Sequence, residues 1–121
     1  MASLLIVDDD DACCRALARL LTMDGHEVAW VTTAPEALAT GRTKEPDILI
    51  CDWLLKKGPD GANVARSLLD ICPQMRIVFI TGLPTDELRQ ETKDLPVIDI
   101  LPKPLGLDGL LNLVGEAIRS C

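Results

Sequence analysis

Aromatic residues are nearly absent: the 121-residue chain has two Trp, one Phe and no Tyr. The core must therefore be aliphatic, and no aromatic platform exists on which bases could stack. An excess of positive charge is missing as well. The formal net charge is −7, opposite in sign to the basic footprint of a nucleic-acid binder. No apolar stretch approaches the roughly 20 residues of a membrane span. The N-terminus has neither the basic region nor the long apolar region of a signal peptide. The five cysteines (Cys13, Cys14, Cys51, Cys72 and Cys121) form no C-x-x-C pair, and the adjacent Cys13 and Cys14 suit a zinc site poorly. They read as small buried apolar residues in a reducing compartment, so a cytoplasmic location is expected. The length suffices for one core but not two, which predicts a single domain over residues 1–121.

What the chain does have is a series of short aliphatic runs, each ending in polar residues. Leu4-Leu5-Ile6-Val7 runs into Asp8-Asp9-Asp10-Asp11, and Ile48-Leu49-Ile50-Cys51 runs into Asp52. Ile77-Val78-Phe79-Ile80 ends at Thr81, and Ile98-Asp99-Ile100-Leu101-Pro102 leads to Lys103. Runs this short and this rich in Ile, Leu and Val predict parallel strands buried on both faces. In an open parallel sheet, ligands bind outside the carboxyl ends of the strands. Three carboxylates, a hydroxyl and an ammonium would then share one edge, a set suited to a metal ion and a phosphoryl group.

Strand and helix patterns alternate five times, the signature of a doubly wound α/β sheet. Asp10 or Asp11 can cap a first helix carrying Ala16, Leu17, Leu20 and Leu21 on one face and ending at Gly25. Glu27–Thr32 is a second strand. Thr33, with Pro35 in the first turn and Glu36 three residues after it, forms a capping box. Gly58-Pro59-Asp60-Gly61 is a turn, followed by a helix with Val64, Leu68 and Leu69 that stops before Pro73. A fourth helix is expected over Thr85–Lys93 around Leu88. A fifth, from Asp108 to Arg119, bears Leu110, Leu111, Val114 and Ile118.

The strand-end residues have a chemistry of their own. Asp8 and Asp9 repel each other, and burial would raise their proton affinity unless a cation intervenes. Mg2+ prefers oxygen ligands and could take a third from Asp52. A carboxylate beside such an ion can attack a phosphoryl group. Lys103 can neutralise charge on that group, and the Thr81 hydroxyl can donate to one of its oxygens. Taken singly these residues are ordinary, and the Asp8–Asp11 run could simply cap a helix. Four such positions at four strand ends read as a site.

The chain resembles a response-regulator receiver domain of bacterial two-component signalling, over essentially its whole length. The resemblance rests on LLIVDDD at residues 4–10, LICDW at 49–53, the Asp60-Gly61 turn, FITG at 79–82 and the Lys103-Pro104 pair. It implies a flavodoxin-like five-stranded parallel sheet in the order 2-1-3-4-5. It also implies that Asp52 is the phosphoryl acceptor and that Asp8 and Asp9 are metal-side acids. The backbone carbonyl of Leu54 would complete the Mg2+ shell, and Thr81 and Lys103 would contact the phosphoryl oxygens. A cis peptide is implied between Lys103 and Pro104, where cis is least costly. The implied donor is a histidine kinase or histidine phosphotransfer protein. The implied recipient is a downstream protein or an attached output domain. No direct contact with nucleic acid or membrane is expected, and the last two helices are the face through which a homodimer would form.

Two departures stand out. Ile100 occupies the position, three residues before the lysine, where the family usually has a Phe or Tyr whose ring turns inward. The loop after Asp52 lacks the usual proline four residues on and is one residue longer, as in receivers attached to hybrid sensor kinases. Two other functions compete with this one. A phosphohydrolase resembling haloacid dehalogenases would use Asp8 as nucleophile and Asp10 as general acid. It needs an acidic pair after the lysine, and only Asp108 and Glu116 follow. A phosphorylation-independent binding module is favoured by Ile100 alone. The expected function is a phospho-acceptor rather than a turnover enzyme.

Overall fold

The computed structural model describes residues 2–53, 55, 60–82, 85–103 and 106–119. Its elements alternate: β1 (Ser3–Val7), α1 (Asp11–Met23), β2 (Glu27–Val31), α2 (Ala34–Lys44), β3 (Ile48–Asp52), α3 (Gly61–Ile71), β4 (Arg76–Thr81), α4 (Thr85–Glu91), β5 (Val97–Pro102) and α5 (Leu107–Arg119). The strands form one sheet in the order β2-β1-β3-β4-β5, and every pairing is parallel.

The aliphatic runs are continuous because both faces of the sheet are covered. Successive strand residues point to opposite faces. Leu5, Val7, Leu49, Cys51, Ile77 and Phe79 face α2, α3 and α4, meeting Ala37, Val64, Leu68 and Leu88. Leu4, Ile6, Ile48, Ile50, Val78 and Ile80 face α1 and α5, meeting Leu17, Leu21, Leu110 and Val114. One aromatic pair thickens the first layer: Trp53 meets Phe79 edge to face, with centroids 5.2 Å apart. The β4–β5 pairing carries a register shift. Ile77 opposes Val97, whereas Val78 opposes Asp99. The extra residue re-aims β5, and Ile100 is buried with Phe79 in the α2–α4 layer.

Capping chemistry sets the helix starts. The Asp10 carboxylate accepts the Ala12 and Cys13 amides, so Asp10 rather than Asp11 caps α1. Thr33 Oγ1 accepts the Glu36 amide at 3.3 Å and donates to Glu36 Oε1 at 2.9 Å. At the other end of α1, Gly25 takes φ +94°, a conformation open mainly to glycine.

The structure corrects several expectations. Ala16 is exposed, and Cys14 takes its place on the buried face of α1 with Leu17 and Leu21, while Leu20 is half-buried. The β2 strand stops at Val31, one residue short of Thr32. The α4 helix stops at Glu91 rather than Lys93. Just past that end, Thr92 donates both its amide, at 3.0 Å, and its hydroxyl, at 2.7 Å, to the Leu88 carbonyl. The α5 helix begins one residue early, at Leu107. Of the cysteines, Cys14, Cys51 and Cys72 are buried, as expected, and Cys13 is half-buried; Cys121 lies outside the described residues. Among the described residues no helix is long and apolar enough to cross a membrane.

The α2–α3 contact depends on a glycine. A Cβ on Gly41 would stand 2.5 Å from Leu68 Cδ2. Overpacking of this kind costs about 1–3 kcal/mol, and the helix-propensity gain over glycine returns about 1 kcal/mol. Because the obstructing atom ends a flexible side chain, Gly41→Ala should lower unfolding stability by only about 1 kcal/mol. A urea titration read by far-ultraviolet circular dichroism checks this, and an unchanged or raised midpoint would contradict it.

Candidate functional site

The carboxyl ends of β1, β3, β4 and β5 bring the polar residues together. Asp8 follows β1 directly, and its amide donates to the Val31 carbonyl at 3.3 Å, holding the end of β1 to β2. The Asp8 side chain is turned inward, with the residue only 2% exposed. Its Oδ1 accepts the Asp10 amide at 3.0 Å. Its Oδ2 is buried and finds no hydrogen-bond partner among the described residues. Asp52 ends β3 and is 6% exposed. One carboxylate oxygen from each of Asp8, Asp9 and Asp52 lies within 4.8 Å of the other two.

Thr81, the buried last residue of β4, accepts the Lys103 amide on its carbonyl at 2.8 Å. That bond fixes the exit of β5, and Lys103 Nζ reaches Asp52 Oδ2 at 3.3 Å. Of the five strand-end residues named from the sequence, Asp8, Asp9, Asp52 and Lys103 therefore bring their side chains together, and Thr81 ends the neighbouring strand at the same edge. Leu54 and the Lys103–Pro104 peptide lie outside the described residues.

The electrostatics follow from this crowding. Burial, then the Asp8 charge, raises the Asp52 pKa above its ordinary value; Lys103 pulls it the other way. For Lys103, burial opposes the charged form, yet Asp52 and Asp8 outweigh it and the ammonium is held above its ordinary range. The Cys13 thiol, in the first turn of α1, feels the same acids: burial and Asp8 push its pKa up to about 11. The sequence reading overlooked Cys13 as a neighbour of the site, because which residue of the first turn of α1 faces the acids depends on the helix phase that the Asp10 cap sets.

An acid cluster and a lysine at the carboxyl edge of a 2-1-3-4-5 sheet match a known family. The model of the response regulator receiver domain fits residues 4–115. The chain belongs to that family. As a receiver domain it is a phospho-accepting module of two-component signal relay, and the match to a phosphohydrolase pattern is not favoured. The receiver is 32% identical over 116 residues to the response regulator MprA of Mycobacterium avium, covering 96% of this chain and 50% of that protein. It is 30% identical over 115 residues to the transcriptional regulatory protein ZraR of Salmonella typhimurium, covering 95% of this chain and 26% of that protein. It thus spans between a quarter and a half of these relatives. Among solved structures, the receiver domain of a modulated diguanylate cyclase from Desulfovibrio desulfuricans superposes with a TM-score of 0.85 at 29% identity, covering 99% of this chain and 95% of that one. A CheY-like receiver domain protein from Methanospirillum hungatei superposes with a TM-score of 0.90 at 24% identity, over 99% and 95% of the two chains, a likeness of fold.

Proposed function

We propose that Asp52 accepts the phosphoryl group, with Mg2+ held by Asp8, Asp9 and Asp52 and by the backbone carbonyl of Leu54. The observation that carries this reading is the buried Asp8 Oδ2, which lacks a hydrogen-bond partner among the described residues within a group of three convergent carboxylates. A buried, unpartnered carboxylate oxygen is costly, and a hard divalent cation relieves that cost and the mutual repulsion together. When bound, Mg2+ supplies positive charge to the acids and to the phosphoryl oxygens.

The chain's own residues do the rest. An Asp52 carboxylate oxygen attacks phosphorus as the bond to the donor breaks, which requires Asp52 ionised. Lys103, 3.3 Å away, favours that ionised form before transfer. Afterwards its ammonium stays with the negative charge on the phosphoryl group, and the Thr81 hydroxyl donates to a second phosphoryl oxygen. The donor is a histidine kinase or a histidine phosphotransfer protein, and the compartment is the cytoplasm. The recipient is a downstream protein or an attached output domain. Residues 1–121 act as one receiver domain that is phosphorylated stoichiometrically and does not turn over substrate.

The test is incubation with Mg2+ and acetyl phosphate, followed by intact-mass and peptide-mass analysis. One phosphoryl group per chain on Asp52 is expected. An adduct elsewhere, or multiple turnover of a small phosphate monoester, would overturn the reading. The metal assignment has its own check. Asp9→Asn should weaken Mg2+ binding by at least about tenfold, since losing even an outer-shell partner of a metal ligand costs 10- to 100-fold. Trp53 is buried and follows Asp52 in the chain, so its fluorescence can follow the titration. Parent-like Mg2+ affinity in Asp9→Asn would remove Asp9 from the site.

A further inference from the structure

Gly61 opens α3, and its place there is a matter of clearance rather than conformation. Its φ lies outside the left-handed region, which among the described glycines is occupied by Gly25. Any residue could adopt its backbone, but no other would fit. A Cβ at this position would stand 2.6 Å from the Asp52 carbonyl oxygen, 3.1 Å from Trp53 Cα and 3.3 Å from Cys51 Sγ. The two nearest atoms belong to the main chain of the β3 end, so they cannot yield without carrying the Asp52 carboxylate with them.

The approach is fastened on both sides. The Gly61 amide donates to the Trp53 carbonyl at 2.8 Å, and the Trp53 amide donates to the Ile80 carbonyl at 2.9 Å. The Cys51 thiol donates to the Asp52 carbonyl at 3.3 Å. Asp60 caps the helix just before the contact, accepting the Asn63 amide at 3.0 Å. The residue after Asp52 is thus tied to the strand that carries Thr81 and to the first turn of α3. We infer that Gly61 is a positioning residue for Asp52: its missing side chain lets α3 seat directly on the acceptor's backbone and sets where the carboxylate stands relative to Asp8, Asp9 and Lys103. The inference deepens the reading of Asp52 as acceptor and rests on it. Misplacing a reacting group by about 1 Å can cost 10²-fold in rate.

The experiment compares the parent chain with Gly61→Ala and Gly41→Ala, the second crowding a helix contact away from the site. For each, a urea titration gives stability and calorimetry gives the Mg2+ half-saturation. The phosphorylation rate from acetyl phosphate is then corrected for the folded fraction. Gly61→Ala should raise the Mg2+ half-saturation and slow phosphorylation by roughly 10- to 10²-fold. Gly41→Ala should lose stability and keep the parent's Mg2+ half-saturation and rate. If Gly61→Ala is unfolded in buffer, all three are measured in trimethylamine N-oxide, which favours the buried state. Folded Gly61→Ala with parent-like half-saturation and rate overturns the inference, as does a chain that stays unfolded even with the osmolyte. A parent chain that takes no phosphoryl group on Asp52 overturns the underlying reading instead.

Discussion

Asp52→Asn should take up no phosphoryl group from acetyl phosphate at any Mg2+ concentration, while keeping the fold. An amide has nearly the shape of a carboxylate but lacks the anionic oxygen that attacks phosphorus. The same substitution should not destabilise the metal-free chain at neutral pH, and the sign can be worked out. The folded-state pKa of Asp52 is raised, by burial first and by Asp8 second. A raised carboxyl pKa means that the native state holds the proton more tightly than the unfolded one. The stability tied to that proton is present below the ordinary value of 3.8 and is lost as pH rises through the folded-state value. At neutral pH the ionised Asp52 therefore opposes folding, and Asn removes that opposition. The measurement is a pair of urea titrations in EDTA, near pH 7 and near pH 4. Asp52→Asn should gain on the parent at the higher pH relative to the lower. A phosphoryl adduct on the variant at Asp8 or Asp9 would move the acceptor role there.

The parts of this fold that were legible in the sequence share one physical cause. Strands covered on both faces need apolar residues at every position, so β1, β3 and β4 stand out as unbroken aliphatic runs. The polar residue that ends each run marks where the chain leaves the core, which is why the positions of Asp8, Asp52 and Thr81 are legible in the sequence. Lys103 was placed by the same logic after a weaker run, interrupted by Asp99. Periodicity alone did not supply the strand order, which came with the family resemblance. The misreadings fall where local pattern competes with tertiary contact. Ala16 and Cys14 are both small and apolar on α1, and only the packing against Leu4 and Ile6 decides which is buried. The α4 helix ends at Glu91, before Lys93, with no breaker in the sequence to mark it, and the β4–β5 register shift depends on the partner strand. In the sequence Gly61 reads as part of a turn. Its clearance against Asp52 could not be seen, because a glycine required for space carries no local sequence signature.

Lys103→Ala should leave the fold and the Mg2+ site in place and slow phosphorylation by about 10²-fold, the scale seen when one preorganised donor to a developing charge is removed. The Lys103 side chain is 40% exposed, so little packing is lost. Its ion pair with Asp52 contributes only modestly to stability because water reaches the ammonium. That contribution has a definite sign. The Lys103 pKa is raised by Asp52 and Asp8 against the opposing effect of burial, so the pair stabilises the fold below the ordinary lysine value of 10.5 and is lost as pH climbs through the folded-state value. Removing a positive charge 3.3 Å from Asp52 Oδ2 also removes a competitor for the cation, so Mg2+ affinity should hold or rise. The slow step is then the transfer itself, where charge accumulates on phosphoryl oxygens with no ammonium to meet it. Lys103→Arg separates charge from shape: the guanidinium keeps the charge but not the compact point donor, so its rate should fall between parent and Lys103→Ala. Single-turnover rates at saturating Mg2+ decide the matter. A Lys103→Ala rate equal to the parent's would show that the ammonium 3.3 Å from Asp52 plays no part in the transfer.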